Sequence, residues 1–440
     1  MNAEQRKQSR GGIYVLKKNE SVLLAICRAI IASAFWVASR IFHKVEVHGV
    51  GYDSGAPRTY YGMLHKRDLD PIIIVPTVVF HRGWRGLAGD LHFGLRSDGF
   101  SPGYLGRLVM YPRWLSRALR LLSIGPVLRW LGAHPLQDLL RPGEEWVREA
   151  LLLGIDSCVG DVFTSDFIEE LAIVTDEHQE QIASYHLSQL LDWRYQYALQ
   201  HYYSSEILVL SMRRPLERRM IARIKDSITE LNTWVSSGGS LFGSPEGHLS
   251  PDGKASPINS GLHRILRHIP SDTRIVPISI MYDFMTVGRM RIFIDFAPTI
   301  ENAPLLPSSE LDSRLRLAWL HSARITSTQL ASGFLVNTER EGLSSFTLDD
   351  IVDNMYHQAV KLAKVGRNVD QYLLTQNQTR KRAIGFLTYA ERHKLIHRIG
   401  KGTWTPTFNE AAIQVRPREV GYDQSPLLYA WNELQEILSI

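Results

Sequence analysis

Apolar and polar positions recur with two periods along this chain, and the changes of period mark out the elements. Lys44-Val-Glu-Val-His-Gly49 alternates with period two and stops at a glycine, which predicts a short strand. Arg58–Leu64 predicts a second strand. The apolar run Pro71–Phe80, opened by a proline, predicts a short buried helix. Ser205–Met212 (Ser-Glu-Ile-Leu-Val-Leu-Ser-Met) reads as another strand. Leu216–Ser236 has helical periodicity, with Ile221, Ile224, Ile228, Leu231 and Val235 on one side and Gly238-Gly239 at its end. Ser240–Phe242, Arg274–Met281 and Met290–Ile294 complete the predicted strands. Strands alternating with helices define an α/β fold, a mixed sheet flanked by helices over residues 45–300. Residues 138–205 read as a helical insertion, with helices over Pro142–Leu153 and Asp166–Gln200. Glu301–Glu310, carrying Pro and Asn, is the expected linker to a mainly helical C-terminal extension, 301–440. In it, Leu311–Ser332 and Phe346–Lys364 predict helices, the second opened by a Thr347-x-x-Asp350 capping box. Lys381–Ile399 predicts a basic helix, followed by a small wing over 400–406 and giving the extension a winged-helix-like character.

Residues 1–44 have a different texture. Arg6, Lys7, Arg10, Lys17 and Lys18 precede the apolar segment Ser21–Phe42, which Arg28 interrupts and Arg40 closes. A spanning helix needs about 20 largely uncharged apolar residues, and only 11 separate the two arginines. No small-residue cleavage site of the signal-peptide kind follows. Two readings stand: an amphipathic helix in the membrane interface, its arginines reaching to headgroups, or a helix packed on the protein's own core.

The chain's 440 residues are 44% apolar, enough for a sizeable core, and its formal charge of +5 favours acidic partners. Phosphorylated substrates, coenzyme A, anionic lipid and nucleic acid all satisfy that charge. Cys27 and Cys158 are far apart and form no metal pattern, which suits free thiols in a reducing compartment. The histidines are scattered, no phosphate-binding glycine loop appears, and neither a metal nor an organic cofactor is expected. Arg113, Arg117 and Arg120 fall on one face of a predicted amphipathic helix, with Leu115, Leu119 and Leu122 displaced from it. That face is either solvated or a contact for phosphates.

Two short segments carry the candidate chemistry. The first is Tyr61-Gly-Met-Leu-His65-Lys-Arg-Asp-Leu-Asp70-Pro71, and the second is Leu241-Phe-Gly-Ser-Pro-Glu246-Gly247-His248. An alcohol is a poor nucleophile until its proton is taken, and histidine titrates near the working pH. A carboxylate on the other ring nitrogen fixes the tautomer and stabilises the imidazolium. His65 is the candidate base, Asp70 its orienter, and Asp68 the rival. A spacing of five does not suit one face of a straight helix, so His65 is expected to end a strand and Asp70 to lie in a helix's first turn, where the dipole favours it.

In this order the segments resemble those of the glycerolipid acyltransferase superfamily, whose members move an acyl chain from a thioester to an alcohol. His65 to Asp70 match the family's His-x4-Asp dyad. Pro245-Glu246-Gly247 match its acceptor-binding Pro-Glu-Gly block. Val276-Pro277-Ile278 resemble its fourth block, on the acyl side, and Val47-His48-Gly49 the strand entering its core. The likeness covers roughly residues 45–135 and 205–300. The family's phosphate-gripping arginine is ambiguous here. Asp138 stands where it is expected after Leu131-Gly-Ala-His-Pro-Leu-Gln137, and Arg213 or Arg214 is preferred, because a phosphate needs a charged fork. The third block departs too: Ser244, His248 and Leu249 replace its Phe, Thr and Arg, so His248 or Lys254 is left to contact the acceptor.

The resemblance implies a peripheral enzyme on the cytoplasmic side of a membrane, favouring the interfacial reading of the N-terminal helix. It would transfer acyl groups from acyl-CoA or acyl carrier protein to a glycerol-phosphate or lysophospholipid acceptor in phospholipid biosynthesis. The site residues implied are His65, Asp70, Arg213, Arg214, Glu246, Gly247, His248 and Pro277. The longer members carry helical extensions whose ends resemble Leu428–Leu434, which favours a structural or lid role for 301–440. The alternatives are the same chemistry on an aminolipid or specialised metabolite, and a non-catalytic protein binding lipid or nucleic acid. Nucleic acid is the less favoured partner.

Overall fold

The computed structural model of the chain describes residues 18–67, 70–96, 125–136, 141–155, 157–192, 194–199, 202–247, 250, 252–406 and 425–440. These residues form two compact units, one of residues 1–92 with 234–440, the other of residues 93–233.

The first unit is built on β1 (Lys44–His48), β2 (Thr59–Met63), β3 (Ser240–Gly243), β4 (Arg274–Asp283) and β5 (Arg291–Phe296). They lie in the order β1-β5-β4-β2-β3. β2 runs parallel to both β3 and β4, β4 antiparallel to β5, and β5 parallel to β1. Its strands are aromatic and β-branched, and every residue of β2, β3 and β5 is buried. The register sets Tyr61 beside Phe242 and Val276, and Gly62 beside Gly243 and Pro277. The carboxyl ends of β2 and β3, each leading into one candidate segment, therefore lie side by side. This is an α/β architecture, as the periodicities predict, and the antiparallel β4–β5 pairing makes its sheet mixed.

Helix α1 (Lys18–Phe42) lies against α2 (Asp70–His81) and the short helix Trp84–Leu87. Its buried positions are Leu24, Ala25, Arg28, Ala32 and Ser39, one stripe at helical spacing. Arg28, the charge that interrupts the apolar segment, faces inward and donates to the Gly86 carbonyl at 3.4 Å. The opposite face exposes Leu23, Ile26, Ile30, Val37, Ile41 and Phe42. By length and composition Val22–Phe42 could cross a membrane.

The extension differs from the expectation at two joints. The predicted linker is a 3-10 turn, Ala303–Leu305, running straight into α3 (Ser308–Ser322), with Ala303 and Leu311 buried. The single helix expected over Leu311–Ser332 is two, α3 and α4 (Ser327–Arg340). The break is enforced by a capping box in which Thr326 and Gln329 satisfy each other's amides. Buried Asp283, at the end of β4, also accepts from the Thr328 amide and the Ser327 and Thr328 hydroxyls at 2.7–2.8 Å. Helix α5 (Leu348–Lys364) begins at the Thr347–Asp350 capping box. Helix α6 (Gln376–Arg392) ends before the predicted point, and Ile396–Gly400 pairs antiparallel with Thr403–Pro406 as the wing. Helix α7 (Pro426–Leu438) follows residues outside the described set.

The second unit has its own apolar core, including Trp146, Phe163, Leu171, Tyr195, Leu216 and Met220. Within it residues 93–96 pair in parallel with residues 133–136. The strand expected over Ser205–Met212 is absent. Ser205–Ile207 is a 3-10 turn capped by Ser204, and the helix Leu210–Ser236 starts earlier than its periodicity suggests. The apolar run 207–210 is too short for its period to separate strand from helix. The predicted helix bearing Arg113, Arg117 and Arg120 lies outside the described residues, as does Asp138.

Candidate active site

The side chain of His65, just beyond β2, is 16% exposed, and that of Asp70 is completely buried at the start of α2. His65 Nδ1 lies 3.1 Å from Asp70 Oδ2. That oxygen also accepts from the amides of Lys66 at 2.6 Å and Arg67 at 2.8 Å, while Oδ1 accepts from the Tyr282 hydroxyl. Residues 66 and 67 thus fold back over the helix start, and the aspartate caps both the turn and the imidazole. A carboxylate with no donor of its own enforces a proton on Nδ1 and leaves Nε2 as the acceptor. Nε2 has no hydrogen-bond partner among the described residues. Asp68 lies outside them.

The second segment reaches the same place through the backbone. Glu246, fully buried, accepts from the His65 amide at 2.9 Å and the Ser256 amide at 2.6 Å. Burial pushes its carboxyl up to about 7, against the lowering by the His65 amide and the Lys66 charge. The carbonyl of His65 is in turn held by the Ser250 amide at 3.1 Å. Gly247 is exposed with φ of +78°, a left-handed backbone that favours glycine, and a Cβ there would press on the Asn259 side-chain amide at 3.0 Å. His248 and Leu249 lie outside the described residues. Lys254 is exposed. Pro277 is buried in β4 beside Gly62, and its carbonyl accepts from the Ala297 amide at 2.9 Å.

The structure therefore gathers His65, Asp70, Glu246 and Gly247 at the ends of β2 and β3. Arg213 and Arg214 belong to the second unit, in the opening turns of the helix Leu210–Ser236 rather than after a strand. Arg213 Nε is shared between Ser205 and Glu217, each at 3.1 Å, whereas Arg214 is exposed.

Three further groups complete the site. Tyr282 reaches Asp70 from β4, 212 residues away. The Arg67 guanidinium lies over the Tyr282 ring at 4.5 Å and the Phe284 ring at 5.1 Å. Trp319 of α3 donates to the Gly62 carbonyl at 2.9 Å, bracing the strand that delivers His65. Only Arg67 stood beside the motif in sequence. The described residues contain no cluster that could hold a metal ion.

No family model matches this chain, and no curated protein matches it. Among solved structures it is similar to the 1-acyl-sn-glycerophosphate (LPA) acyltransferase PlsC from Thermotoga maritima, at 11% identity and a TM-score of 0.33, over 70% of this chain and 81% of that one. At that distance the likeness carries no argument, and the function is argued from the site's own geometry.

Proposed function

We propose that the protein is an O-acyltransferase that moves an acyl chain from a thioester of coenzyme A or acyl carrier protein to the hydroxyl of a glycerol-phosphate or lysophospholipid. The observation that supports this best is His65, held through Nδ1 by a carboxylate that two amides and a tyrosine lock in place. His65 Nε2 takes the acceptor's hydroxyl proton as its oxygen attacks the thioester carbonyl. Asp70 steadies the imidazolium. Collapse of the tetrahedral adduct forms the ester, breaks the C–S bond, and returns the proton from Nε2 to the departing thiol. Glu246 acts through the backbone it holds, setting His65 against the Gly247 turn where the acceptor sits. Of the two arginines, the exposed Arg214 rather than Arg213, already held by Ser205 and Glu217, would take an acceptor phosphate. The acyl chain runs on the Pro277 side.

The exposed apolar face of α1 would lie in the cytoplasmic membrane interface. Its support is the buried stripe: the helix is held along the first unit, with Arg28 turned to protein rather than lipid. The test is thiol release from palmitoyl-coenzyme A over a panel of lysolipids, aminolipids and glycerol 3-phosphate. Acceptor-dependent release lost in His65→Ala supports the reading. Equal release by His65→Ala refutes it.

A further inference from the structure

The same geometry points to α7 as part of the positioning apparatus. We propose that Glu433 and Glu436, near the carboxyl end of the chain, clasp the two segments that carry His65 and Glu246, and that catalytic alignment depends on this clasp. The kinetic side rests on the acyl-transfer reading; the structural side does not.

Glu433 is 4% exposed, and its Oε1 lies 3.3 Å from the ammonium of Lys66, itself 3% exposed. Lys66 is the residue after His65, and its amide is one of the two that fix Asp70. Its ammonium also donates to the Gly253 carbonyl at 2.6 Å. The other Glu433 oxygen accepts from Gln329 at 3.1 Å. One turn further on, Glu436 accepts from the Ala255 amide at 2.6 Å and is paired with Arg316. Ala255 precedes Ser256, whose amide binds Glu246. Just before these anchors Asn432 donates to the Asp252 carbonyl at 3.0 Å. Gly253, with φ of +90°, comes so close that a Cβ would sit 2.3 Å from the Tyr429 carbonyl oxygen. The loop at 252–256 thus meets α7 directly at Asp252, Gly253 and Ala255, and is tied to Glu433 through Lys66. Through it α7 reaches both the imidazole's backbone and the carboxylate that binds it.

A buried ion pair is weak evidence of stabilisation, since apolar residues of similar volume often hold a fold equally well. That separates the two roles of this one. In Glu433→Gln and Glu436→Gln, hydrogen exchange should show loss of amide protection at His65, Lys66 and Ser256, with Ile292–Ile294 of β5 still protected. Where thioester turnover is measured, kcat should fall about 100-fold with KM unchanged, the effect of a small misplacement of the reacting groups. A second variant, Lys66→Met with Glu433→Met, removes both charges. It should regain thermal stability without regaining kcat. Unchanged protection at the three amides in folded variants would overturn the proposal. So would a double variant that regains both stability and kcat. A wild-type protein inactive on every thioester would defeat the acyl-transfer reading instead, leaving the exchange experiment to decide the clasp.

Discussion

Replacing Asp70 by asparagine tests the site at its centre. The carboxylate accepts from His65, Lys66, Arg67 and Tyr282. An asparagine can keep its oxygen on His65 and the two amides and turn its NH2 toward Tyr282, whose hydroxyl can rotate to accept. The retained bonds lose charge assistance, about 1 kcal/mol each, while removal of a completely buried charge relieves a desolvation cost of several kcal/mol. The variant should therefore fold. What it lacks is a negative charge beside the imidazolium formed during transfer. Two unit charges about 4 Å apart, at an effective dielectric of about 20, interact by about 4 kcal/mol, or about 10³ in rate. Thiol-release kinetics should show kcat reduced about 10³-fold, with KM and the melting temperature little changed. Tyr282→Phe, which leaves three of the four donors, should lose about tenfold or less, the worth of one hydrogen bond. An Asp70→Asn enzyme within tenfold of wild type would refute the proton-transfer role of the dyad.

Other expectations follow from named contacts. The folded chain keeps Glu246 protonated up to about pH 7, whereas an ordinary glutamate ionises near 4.5; its contribution is thus full below about pH 4.5 and lost as pH rises through 7. This amounts to about 3 kcal/mol, and urea titrations of wild type and Glu246→Gln across that window should differ in slope; parallel curves would contradict it. Gly247→Ala should cost about 1–2 kcal/mol, the scale of strain at a left-handed backbone, read by the denaturation midpoint, and no loss would mean the turn relaxes freely. On α1, Ile30→Asp should weaken flotation with anionic liposomes without lowering the melting temperature, while Ala25→Asp should lower the melting temperature; the reverse would put the wrong face toward lipid.

Much of the site could be read in the chain because its key pieces are local. His65 and Asp70 share one strand-to-helix turn, and Pro245-Glu246-Gly247 form a separate turn just past the end of the neighbouring strand. The spacing of five was informative because it excludes a helix face and fits a turn. What could not be read came from far away or from short apolar runs. Tyr282, Trp319 and Glu433 meet the site only through sheet order and helix packing, and nothing near them in sequence marks them. Ser205–Met212 predicts a strand where the chain forms a 3-10 turn and a helix start, because four apolar residues fit strand and helix alike. The break at residues 323–326 did have a signal, Thr326-Ser-Thr-Gln329, but the surrounding apolar periodicity ran through it.

The placement of β2 sets a timetable for synthesis. Both of its neighbours, β3 and β4, are encoded about 180 residues or more downstream. At roughly 5–20 residues per second, the segment Thr59-Tyr-Tyr-Gly-Met63 waits about 10 to 40 s on the ribosome before either hydrogen-bonding edge has a partner. It is aromatic and uncharged, the composition most prone to pair with the wrong strand. The nascent chain must therefore shelter it for that interval. In the finished fold α1 packs against α2, β1 and the short helix Trp84–Leu87, all translated before β3, which makes the amino-terminal helices the first natural cover for a strand whose sheet does not yet exist.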